Sequence, residues 1–433
     1  MKREEIIKGD PLSESTFSGK NNSWASDLRR CRKSGPSMKD KDWYMSGEST
    51  IAVHAGTMDD DRTGAVGTPI YQTSTFTLGE SEYTAVEEGH ARDKFIYTRY
   101  GNPSQWSVQN KLAALERAES ALVFSSGMAA ITASVMAMLD RGAHVVASNE
   151  LYGGTYNLFN NEFPTFGMSV DFVEPTDYDA IEAAIKPNTQ ILYFEVLTNP
   201  LLKLVDIERL ADIAQRHKLR LIVDATFATP IGCKSLELGA DLVIHSCTKY
   251  LNGHSDLVAG CVMGSRKLVD MVWPKLLHYG GSLDPHAAFM LERGLKTLAI
   301  RMQAHEKSAF KLATYLESHP KTSLVRYPLL KSFPQYDLSK KMLKNASGMI
   351  SFTVVGGDQA AKKFIGLLTL SRQATSLGGV ESLVSLPFNT SHASSTIKQR
   401  ENMGIMPGCI RLSVGIEDGD DIIADFEQAL AQL

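Results

Sequence analysis

The sequence predicts an α/β protein in which a mainly parallel sheet is followed by a smaller α/β unit. From about residue 108, apolar runs of strand length alternate with amphipathic helical segments, which is typical of parallel strands joined by crossover helices. Polar and small residues follow directly after these runs, at the edge where such sheets bind ligands. Nearer the C-terminus, "ASGMISFTVVG" and "GCIRLSVGIED" predict a second, antiparallel sheet.

Length and composition restrict the class of protein. The chain has 433 residues, is 43% hydrophobic and carries a formal net charge of −4, so it has ample core and no global attraction to nucleic acid or membranes. Its five cysteines are scattered, which argues against a disulfide framework or a structural metal site. With no signal peptide and no membrane-length apolar run, we expect a cytoplasmic protein that binds neither nucleic acid nor membrane.

Composition along the chain predicts four segments. Residues 1–48 are polar and lack an apolar period, so they are interpreted as an N-terminal extension. Residues 49–107 are predicted to form an arm, 108–300 the large ligand-binding domain and 301–433 the C-terminal domain. The predicted strands of the large domain are "SALVFSS", "AHVVASN", "QILYFEV", "LRLIVDATF" and "ADLVIHS", and one long helical stretch is predicted over 287–319.

Polar, aromatic and small residues follow the predicted strands at their carboxyl ends. In chain order they are Ser125 to Met128 opening a helix, Tyr152 before two glycines, Asn199, Asp224, and the group Ser246, Thr248 and Lys249. Because the carboxyl ends of parallel strands lie at one edge of a sheet, we expect an anion-binding helix start, an aromatic ring, an amide, a carboxylate and a lysine to meet there.

This set of groups fits pyridoxal phosphate. The aldehyde of this cofactor reacts with a lysine, and its ring nitrogen needs a carboxylate if the ring is to accept electrons from a carbanion. Its phosphate suits a helix start with nearby hydroxyls, and its ring face suits an aromatic stack. Taken singly, these residues are equally typical of turns, helix caps and solvent-exposed side chains, so their order along the chain carries the prediction. No metal is expected.

Seven motifs between about residues 50 and 433 resemble those of the Cys/Met-metabolism pyridoxal-phosphate enzymes of fold type I, which include cystathionine γ-synthase, cystathionine γ-lyase and methionine γ-lyase. The motifs are "YTRYGNPS", "SSGMAAI", "LYGGTY", "LTNPLLKLVDI", "HSCTKYLNGHSD", "SLGGVESLVSLP" and "IRLSVGIED". The resemblance implies a large domain with a mainly parallel seven-stranded sheet, a smaller C-terminal α/β domain, and a homo-oligomer, as a tetramer built from two dimers.

The resemblance also implies roles for individual residues. Lys249 is expected to form the Schiff base and to move protons, Asp224 to pair with the ring nitrogen, and Tyr152 to stack on the ring and act in catalysis. The other expected cofactor contacts are Gly127, Met128, Ser246, Thr248 and Asn199, with Tyr97 and Arg99 reaching the phosphate of a neighbouring subunit. Arg411, Ser376 and Thr375 are the expected substrate contacts, Arg411 binding the α-carboxylate.

The expected reaction is γ-replacement or γ-elimination on an amino acid such as an O-activated homoserine or cystathionine, through a vinylglycine-type intermediate. Three alternatives stay open: a specialised γ-substitution enzyme of secondary metabolism that uses an unusual nucleophile, a cystathionine β-lyase or methionine γ-lyase, and a non-catalytic protein on the same fold.

Five positions at four sites depart from the family pattern. Ala225 stands where the family usually has Asn, and Val196-Leu197 stand where it has Ser-Pro after Glu195. Thr375 replaces a Glu that meets the distal part of cystathionine, and Gly154 replaces a Cys frequent in methionine γ-lyases. Thr375 weakens cystathionine as substrate or product and Gly154 weakens the methionine γ-lyase alternative, whereas "SLGGVES" and "SHAS" favour the cystathionine γ enzymes. The leaving group and the nucleophile therefore stay open.

Overall fold

A computed structural model describes residues 46–58, 60, 62–390, 398 and 404–433 of the chain. These residues belong to one compact unit. The predicted N-terminal extension lies outside the described residues apart from its last three positions, so its interpretation stays a prediction. Among the helices of the described residues, none is long and apolar enough to cross a membrane.

A mixed seven-stranded sheet forms the larger layer, as predicted. Its strands are β1 (Ser120–Phe124), β2 (His144–Ser148), β3 (Ser169–Val173), β4 (Thr189–Glu195), β5 (Arg220–Asp224), β6 (Leu242–His245) and β7 (Gly260–Gly264). They lie in the order β1-β7-β6-β5-β4-β2-β3, and only β7 is antiparallel to its neighbours. Central strands are covered on both faces, because Val223 packs in one apolar cluster and the adjacent Ile222 in another.

Two strands of this sheet were not predicted. β3 is an edge strand whose residues are half-buried or exposed, so its sequence lacks the continuous apolar run of a central strand. β7 is short and has glycine at both ends, and Gly260 lies so near Ser126 that an added Cβ would be 2.2 Å from its carbonyl oxygen. β3 was missed because its apolar pattern is weak, and β7 was missed because it is short and its glycines serve close backbone packing.

Helices flank this sheet. Their bounds are α1 (Glu48–His54), α2 (Glu80–Glu87), α3 (Pro103–Glu116), α4 (Gly127–Met138), α5 (Gly153–Asn157), α6 (Tyr178–Ala183), α7 (Ile207–His217), α8 (Thr229–Gly232), α9 (Arg266–Tyr279), α10 (Pro285–Leu295) and α11 (Leu298–Ser318). Short 3₁₀ or π turns cover Ala91–Asp93, Leu158–Glu162 and Phe163–Phe166.

The prediction of a single helical stretch over 287–319 is wrong in one respect, since the structure has two helices there, α10 and α11. The chain breaks between α10 and α11 at Lys296 and Thr297. The buried guanidinium of Arg301 donates to the Gly294 carbonyl at 2.9 Å and to Tyr250 O at 2.8 Å. A tertiary contact therefore satisfies the helix end, which an apolar period cannot reveal.

A second, five-stranded sheet follows. Its strands are β8 (Thr322–Arg326), β9 (Met349–Val354), β10 (Arg372–Gln373), β11 (Leu383–Ser385) and β12 (Cys409–Ser413), in the order β10-β11-β12-β9-β8. All pairs are antiparallel except β10 with β11. The associated helices are α12 (Tyr336–Met342), α13 (Gly357–Leu367) and α14 (Gly419–Ala431), with a 3₁₀ turn at Pro387–Asn389. Phe352, Phe364 and Phe426 centre a core of its own.

The carboxyl ends of β4, β5 and β6 lie side by side. Glu195 ends β4 and is the register partner of Asp224, which ends β5. Asp224 in turn is the partner of Ile244, one residue before the end of β6. Polar residues far apart in sequence therefore meet at one edge, where the second sheet adds the turn after β10 and the strand β12.

Candidate active site

A cavity of about 600 Å³ opens at this sheet edge. Every site residue predicted from the sequence lines it, except Tyr97 and Arg99. The lining residues are Ser126, Gly127, Met128, Ile131, Tyr152, Glu195, Leu197, Asn199, Asp224, Thr226, Phe227, Ser246, Thr248, Lys249, Val258, Thr375, Ser376, Leu377, Asn389, Thr390 and Arg411. The cavity thus combines residues from both sheets.

Lys249 follows β6 and projects into the cavity. Its Nζ donates a hydrogen bond to Ser376 Oγ at 2.7 Å. Burial, aided by the charge of Arg411, lowers the pKa of Lys249 to about 8. A lysine in this state has a substantial neutral fraction near neutral pH, so its amine can act as a nucleophile and as a proton carrier.

Arg411 lies in β12 and is only 9% exposed. Its guanidinium donates to Asn199 Oδ1 and to the carbonyl oxygen of Ser376, each at 3.1 Å. Burial lowers the pKa of Arg411 to about 10, and both of these partners are neutral. A buried guanidinium facing a cavity with neutral partners is suited to an incoming carboxylate, which it can bind through two parallel hydrogen bonds.

Ser376 joins these two cations. Its side chain accepts from Lys249 and its carbonyl oxygen accepts from Arg411. Its φ of 86° lies in the left-handed region, which residues other than glycine adopt only when the surrounding structure imposes it. The turn after β10 therefore holds the amine and the guanidinium at a set spacing.

Asp224 supplies a carboxylate to the cavity floor. It is 8% exposed and accepts a hydrogen bond from the backbone N–H of Thr226 at 2.9 Å. Burial raises its pKa above the ordinary value, while hydrogen bonds from Thr226 and the charge of His245 act in the opposite direction. A cationic partner in the cavity would further favour the ionised form.

Glu195 is a cavity residue that the sequence analysis missed as a site residue. It is 6% exposed, and its Oε1 accepts the backbone N–H of Tyr152 at 2.7 Å. Burial and the neighbouring Asp224 raise the pKa of Glu195 well above its ordinary value. We assign the neutral form to Glu195, since Asp224 has the stronger hydrogen-bond support. Its place at the end of "QILYFEV", beside Asp224, was the signal that could have revealed it.

An anion-binding cradle lies at the start of α4. Ser126 caps the helix by accepting from Ala129 N at 3.1 Å. The first turn of a helix leaves backbone N–H groups without intrahelical partners, and here Gly127 and Met128 of that turn line the cavity. A Cβ added to Gly127 would be 2.9 Å from the Cβ of Ser246, so only glycine lets the two segments approach. Backbone donors and the serine hydroxyl thus surround a space suited to a phosphate.

The segment from Ser246 to Thr248 is held by a local network. Thr226 Oγ1 accepts from Ser246 N at 2.9 Å. Thr248 Oγ1 donates to Ala259 O at 3.2 Å and accepts from Ala259 N at 3.0 Å. These bonds fix the backbone that carries Lys249, which is why Thr226 matters to the site although the sequence analysis did not include it.

Apolar side chains form one wall of the cavity, and the sequence analysis missed them as well. Leu197 and Leu377 are buried at 2% and 5% exposure, and Phe227 is 7% exposed. They come from three separate loops. No local pattern distinguishes such residues from ordinary core residues, so only their assembly at the cavity reveals them.

Tyr97 and Arg99 lie in the segment before α3, apart from the cavity lining. Tyr97 is 41% exposed, and the Arg99 guanidinium lies 5.4 Å from the Tyr97 ring centre. Their expected contact with a neighbouring subunit stays a prediction.

The residues present fit pyridoxal phosphate. The cradle at Gly127 accepts a phosphate, the carboxylate of Asp224 can meet a ring nitrogen, and the amine of Lys249 can reach an aldehyde. Tyr152, half-exposed above the carboxyl ends of the strands, provides a ring face. The fold and this cavity define a pyridoxal-phosphate-dependent enzyme of fold type I.

Comparisons with known proteins identify the family. The family model described as "Cys/Met metabolism PLP-dependent enzyme" matches residues 49–431, and the chain belongs to this family. The chain is 41% identical over 402 residues to an L-methionine gamma-lyase of Treponema denticola, which covers 92% of this chain and 100% of that relative. It is 41% identical to a cystathionine gamma-lyase of Bacillus subtilis, over 89% of this chain and 100% of the relative.

A solved structure agrees with these relatives. The crystal structure of metB from Corynebacterium glutamicum superposes with a TM-score of 0.85 and is 39% identical, covering 90% of this chain and 100% of that chain. The expected family, fold class and cofactor are thus confirmed, and the chain is a pyridoxal-phosphate-dependent lyase-type enzyme.

Proposed function

We propose that this chain catalyses elimination or replacement at the γ-carbon of a sulfur amino acid or an O-activated homoserine. The observation that carries the proposal is the position of Ser376, which holds the Lys249 amine through its hydroxyl at 2.7 Å and the Arg411 guanidinium through its carbonyl at 3.1 Å. An amino acid bound by its α-carboxylate at Arg411 has its Cα beside Lys249. Proton removal from Cα and then from Cβ needs this arrangement.

Each residue at the cavity has a separate role in the proposed reaction. Bound pyridoxal phosphate supplies a cationic ring that stores the electron pair left at a carbon when a proton is removed. Asp224 stabilises the positive charge of that ring, and Lys249 carries protons to and from the substrate carbons. Arg411 orients the substrate, and Tyr152 covers the ring face at the cavity mouth. The depressed pKa of Lys249, about 8, matches this use of the amine.

The test separates γ from β chemistry. Purified holoenzyme is incubated with L-methionine, L-cystathionine, O-acetylhomoserine and O-succinylhomoserine, each with and without L-cysteine as an added thiol nucleophile, and 2-oxobutanoate, pyruvate and any thioether product are quantified. We expect 2-oxobutanoate or a γ-replacement product. Pyruvate from cystathionine as the dominant product would instead assign β-elimination. Lys249→Ala is the matched control, and turnover that survives in this variant would overturn the role of Lys249.

A second candidate is γ-replacement by an uncharged, unusual nucleophile. The apolar wall of Leu197, Phe227 and Leu377 favours it, since these side chains cannot solvate a charged group. Deuterium exchange at Cα and Cβ of the substrate, combined with failure to form product from every sulfur nucleophile, would favour this candidate. Efficient cystathionine synthesis or cleavage would exclude it.

The enzyme is proposed to act as a homo-oligomer, as a tetramer built from two dimers. Apolar side chains of the segment before α3 support this, because Val66 is 95% exposed, Tyr83 58% and Tyr97 41%. Co-expression of Lys249→Ala and Arg99→Ala chains tests it. If Arg99 contributes to the site of the neighbouring subunit, a mixed dimer of the two variants has one intact site, which combines Lys249 of one chain with Arg99 of the other. Such mixed dimers should regain turnover. Hybrids without activity, or a light-scattering mass of one chain, would contradict the assembly.

We also propose a cytoplasmic location. Cys233, Cys247, Cys261 and Cys409 are free and buried among the described residues, as suits a reducing compartment. Fractionation of the source cells would test this, and recovery from an extracellular or periplasmic fraction would contradict it.

A further inference from the structure

A fully buried carboxylate joins two of the loops that supply cavity residues. Glu150 follows β2 and comes two residues before Tyr152. Its Oε2 accepts a hydrogen bond from the hydroxyl of Thr198 at 2.7 Å, and its Oε1 pairs with the ammonium group of Lys203. Thr198 directly precedes Asn199. The hydrogen bond therefore connects the loop that presents Tyr152 to the loop that presents Asn199.

Every polar group of Thr198 is engaged in this network. Its backbone N–H donates to Lys203 O at 3.0 Å, and its carbonyl oxygen accepts from Leu202 N at 2.9 Å. Its hydroxyl oxygen accepts from Lys203 N at 3.0 Å. An ionised carboxylate only accepts hydrogen bonds, so the hydroxyl proton points at Glu150. The position and the orientation of Thr198 are therefore both fixed.

The loop after β4 folds back on itself and carries Asn199 at its turn. Leu197 and Leu204 form an antiparallel bridge across the loop. This bridge keeps the loop compact but does not set where the turn lies relative to the sheet edge. The bond from Thr198 to Glu150 supplies that anchor, because Glu150 follows β2, the strand that pairs with β4.

Asn199 is the residue through which this loop reaches the guanidinium proposed to bind the substrate. Its Oδ1 accepts a buried hydrogen bond from Arg411 Nη1 at 3.1 Å. The other acceptor of that guanidinium is the carbonyl oxygen of Ser376, which comes from the turn after β10 in the second sheet. Asn199 therefore sets the direction of the guanidinium relative to the large sheet, where the cofactor is expected to bind.

The pair of Glu150 and Lys203 is an unfavourable choice for stability alone. Glutamate is almost never fully buried unless it is paired, and a buried ion pair often gives no more stability than apolar residues of similar volume. Lys203 compensates the buried charge and is itself held by Glu174 at 2.8 Å. What the pair provides, and apolar packing does not, is a directional acceptor at a fixed place for the Thr198 hydroxyl.

We propose that Glu150 and Thr198 are positioning residues for the substrate α-carboxylate, and that they act through Asn199 on Arg411. Their hydrogen bond holds the loop after β4 where Asn199 Oδ1 meets the guanidinium. The further donors of Arg411 then stay available to an incoming carboxylate. The inference rests on the proposed function, since it concerns the group that would bind the α-carboxylate.

The test compares two probes that differ by a carboxylate. Holoenzymes of the wild type, Thr198→Val and Thr198→Ser are titrated with L-alanine and with ethylamine, and each dissociation constant is taken from the change in cofactor absorbance. Valine keeps the shape of the threonine side chain but lacks its hydroxyl. We expect Thr198→Val to weaken L-alanine binding about tenfold and ethylamine binding less than about twofold. Thr198→Ser keeps the hydroxyl and should bind L-alanine within about threefold of the wild type.

A merely structural role of Thr198 would give a different result. A loosened loop that disturbs the cofactor would weaken both probes by the same factor. Equal weakening of the two probes, or an unchanged L-alanine affinity in Thr198→Val, would overturn the proposal. Adding Thr198→Val to Asn199→Ala should weaken L-alanine less than about twofold further, because the two residues act in series. Fully additive losses would overturn the route through Asn199.

Thr189→Val is the matched control. Thr189 is also buried, at the amino end of β4, and its hydroxyl likewise accepts a backbone N–H, from Lys186 at 2.7 Å. It also pairs with the ring of His144 at 2.7 Å. This variant should be destabilised but should keep the wild-type ratio of the two dissociation constants. A ratio altered as much as in Thr198→Val would overturn the proposal, since loss of a distant buried hydroxyl would then suffice.

A double variant keeps the test decisive if Thr198→Val does not fold. Glu150→Leu with Lys203→Met replaces the ion pair by apolar side chains of similar volume, which commonly preserves stability, and removes the acceptor of the Thr198 hydroxyl. We expect it to fold and to weaken L-alanine selectively, and an unchanged L-alanine affinity in this variant would overturn the proposal. Failure of the proposed function is distinguishable, because the wild type itself would then give no cofactor absorbance change with L-alanine or no γ-chemistry.

Discussion

Replacing Arg411 with lysine keeps a positive charge in the cavity but removes the planar pair of donors that a guanidinium presents. In the structure these donors contact Asn199 Oδ1 and Ser376 O, each at 3.1 Å. An ammonium group cannot keep both contacts and still bind a carboxylate through two parallel bonds. The variant therefore loses substrate orientation while the residues expected to hold the cofactor are unchanged.

The magnitude follows from burial. Arg411 is 9% exposed, so its bond to a substrate carboxylate is little screened by solvent. Disrupting a buried, hydrogen-bonded charge pair costs about 2–4 kcal/mol. The value of kcat/KM should therefore fall roughly 30- to 1,000-fold. Thermal stability should change little, because the guanidinium has neutral partners and its burial is itself unfavourable.

The assay combines steady-state kinetics with a binding measurement. Release of 2-oxo acid gives kcat/KM, and the change in cofactor absorbance on adding substrate gives the dissociation constant. Arg372→Lys is the matched control, since Arg372 is exposed on β10. A kcat/KM for Arg411→Lys within about threefold of the control would refute the assignment of Arg411 to the substrate carboxylate.

Three further outcomes follow from the same site. Gly127→Ala places a Cβ 2.9 Å from Ser246 Cβ, and the resulting overpacking should weaken cofactor binding about 5- to 100-fold by equilibrium dialysis. Gly366→Ala is the control, since an added Cβ there meets nothing within 4 Å, and this variant should bind the cofactor as the wild type does. Equal cofactor affinities in Gly127→Ala and Gly366→Ala would contradict the cradle. Because the pKa of Lys249 is lowered to about 8 and only the neutral amine reacts with an aldehyde, cofactor reloading of the apoprotein should accelerate up to about pH 8 and level off above it. A reloading rate that keeps rising through about pH 10, or that does not depend on pH, would contradict the lowered pKa of the Lys249 amine. Glu195→Gln keeps an acceptor for the same backbone N–H and should retain kcat within about threefold, whereas Glu195→Ala leaves that donor unpaired and should lose about tenfold. Equal losses in the two variants would indicate that the carboxyl proton itself is used.

The strand-end residues were predictable because parallel strands share one edge. Lys249, Asp224 and Asn199 each follow an apolar run, and the structure places all three at one cavity. Their joint position depends only on sheet topology, which the alternation of strands and helices already indicates. The family motifs added Arg411 and Ser376, whose strand and turn belong to the second sheet and have no such local signal.

Residues that act through packing were not predictable in the same way. Many buried residues end apolar strands, so the position of Glu195 at the end of β4 does not by itself mark it as a site residue. Its role becomes visible only through the hydrogen bond that it accepts from Tyr152 N.

The amino-acid sequence by itself determined the α/β class and the cofactor and predicted Lys249 as the reactive lysine, because apolar periodicity and strand-end chemistry are local properties of the chain. Only the tertiary structure decided the spacing of Lys249 and Arg411 across Ser376, the break between α10 and α11, and the buried neighbours of Asp224. These depend on distances between segments far apart in sequence, and such distances arise from packing two sheets and their helices together.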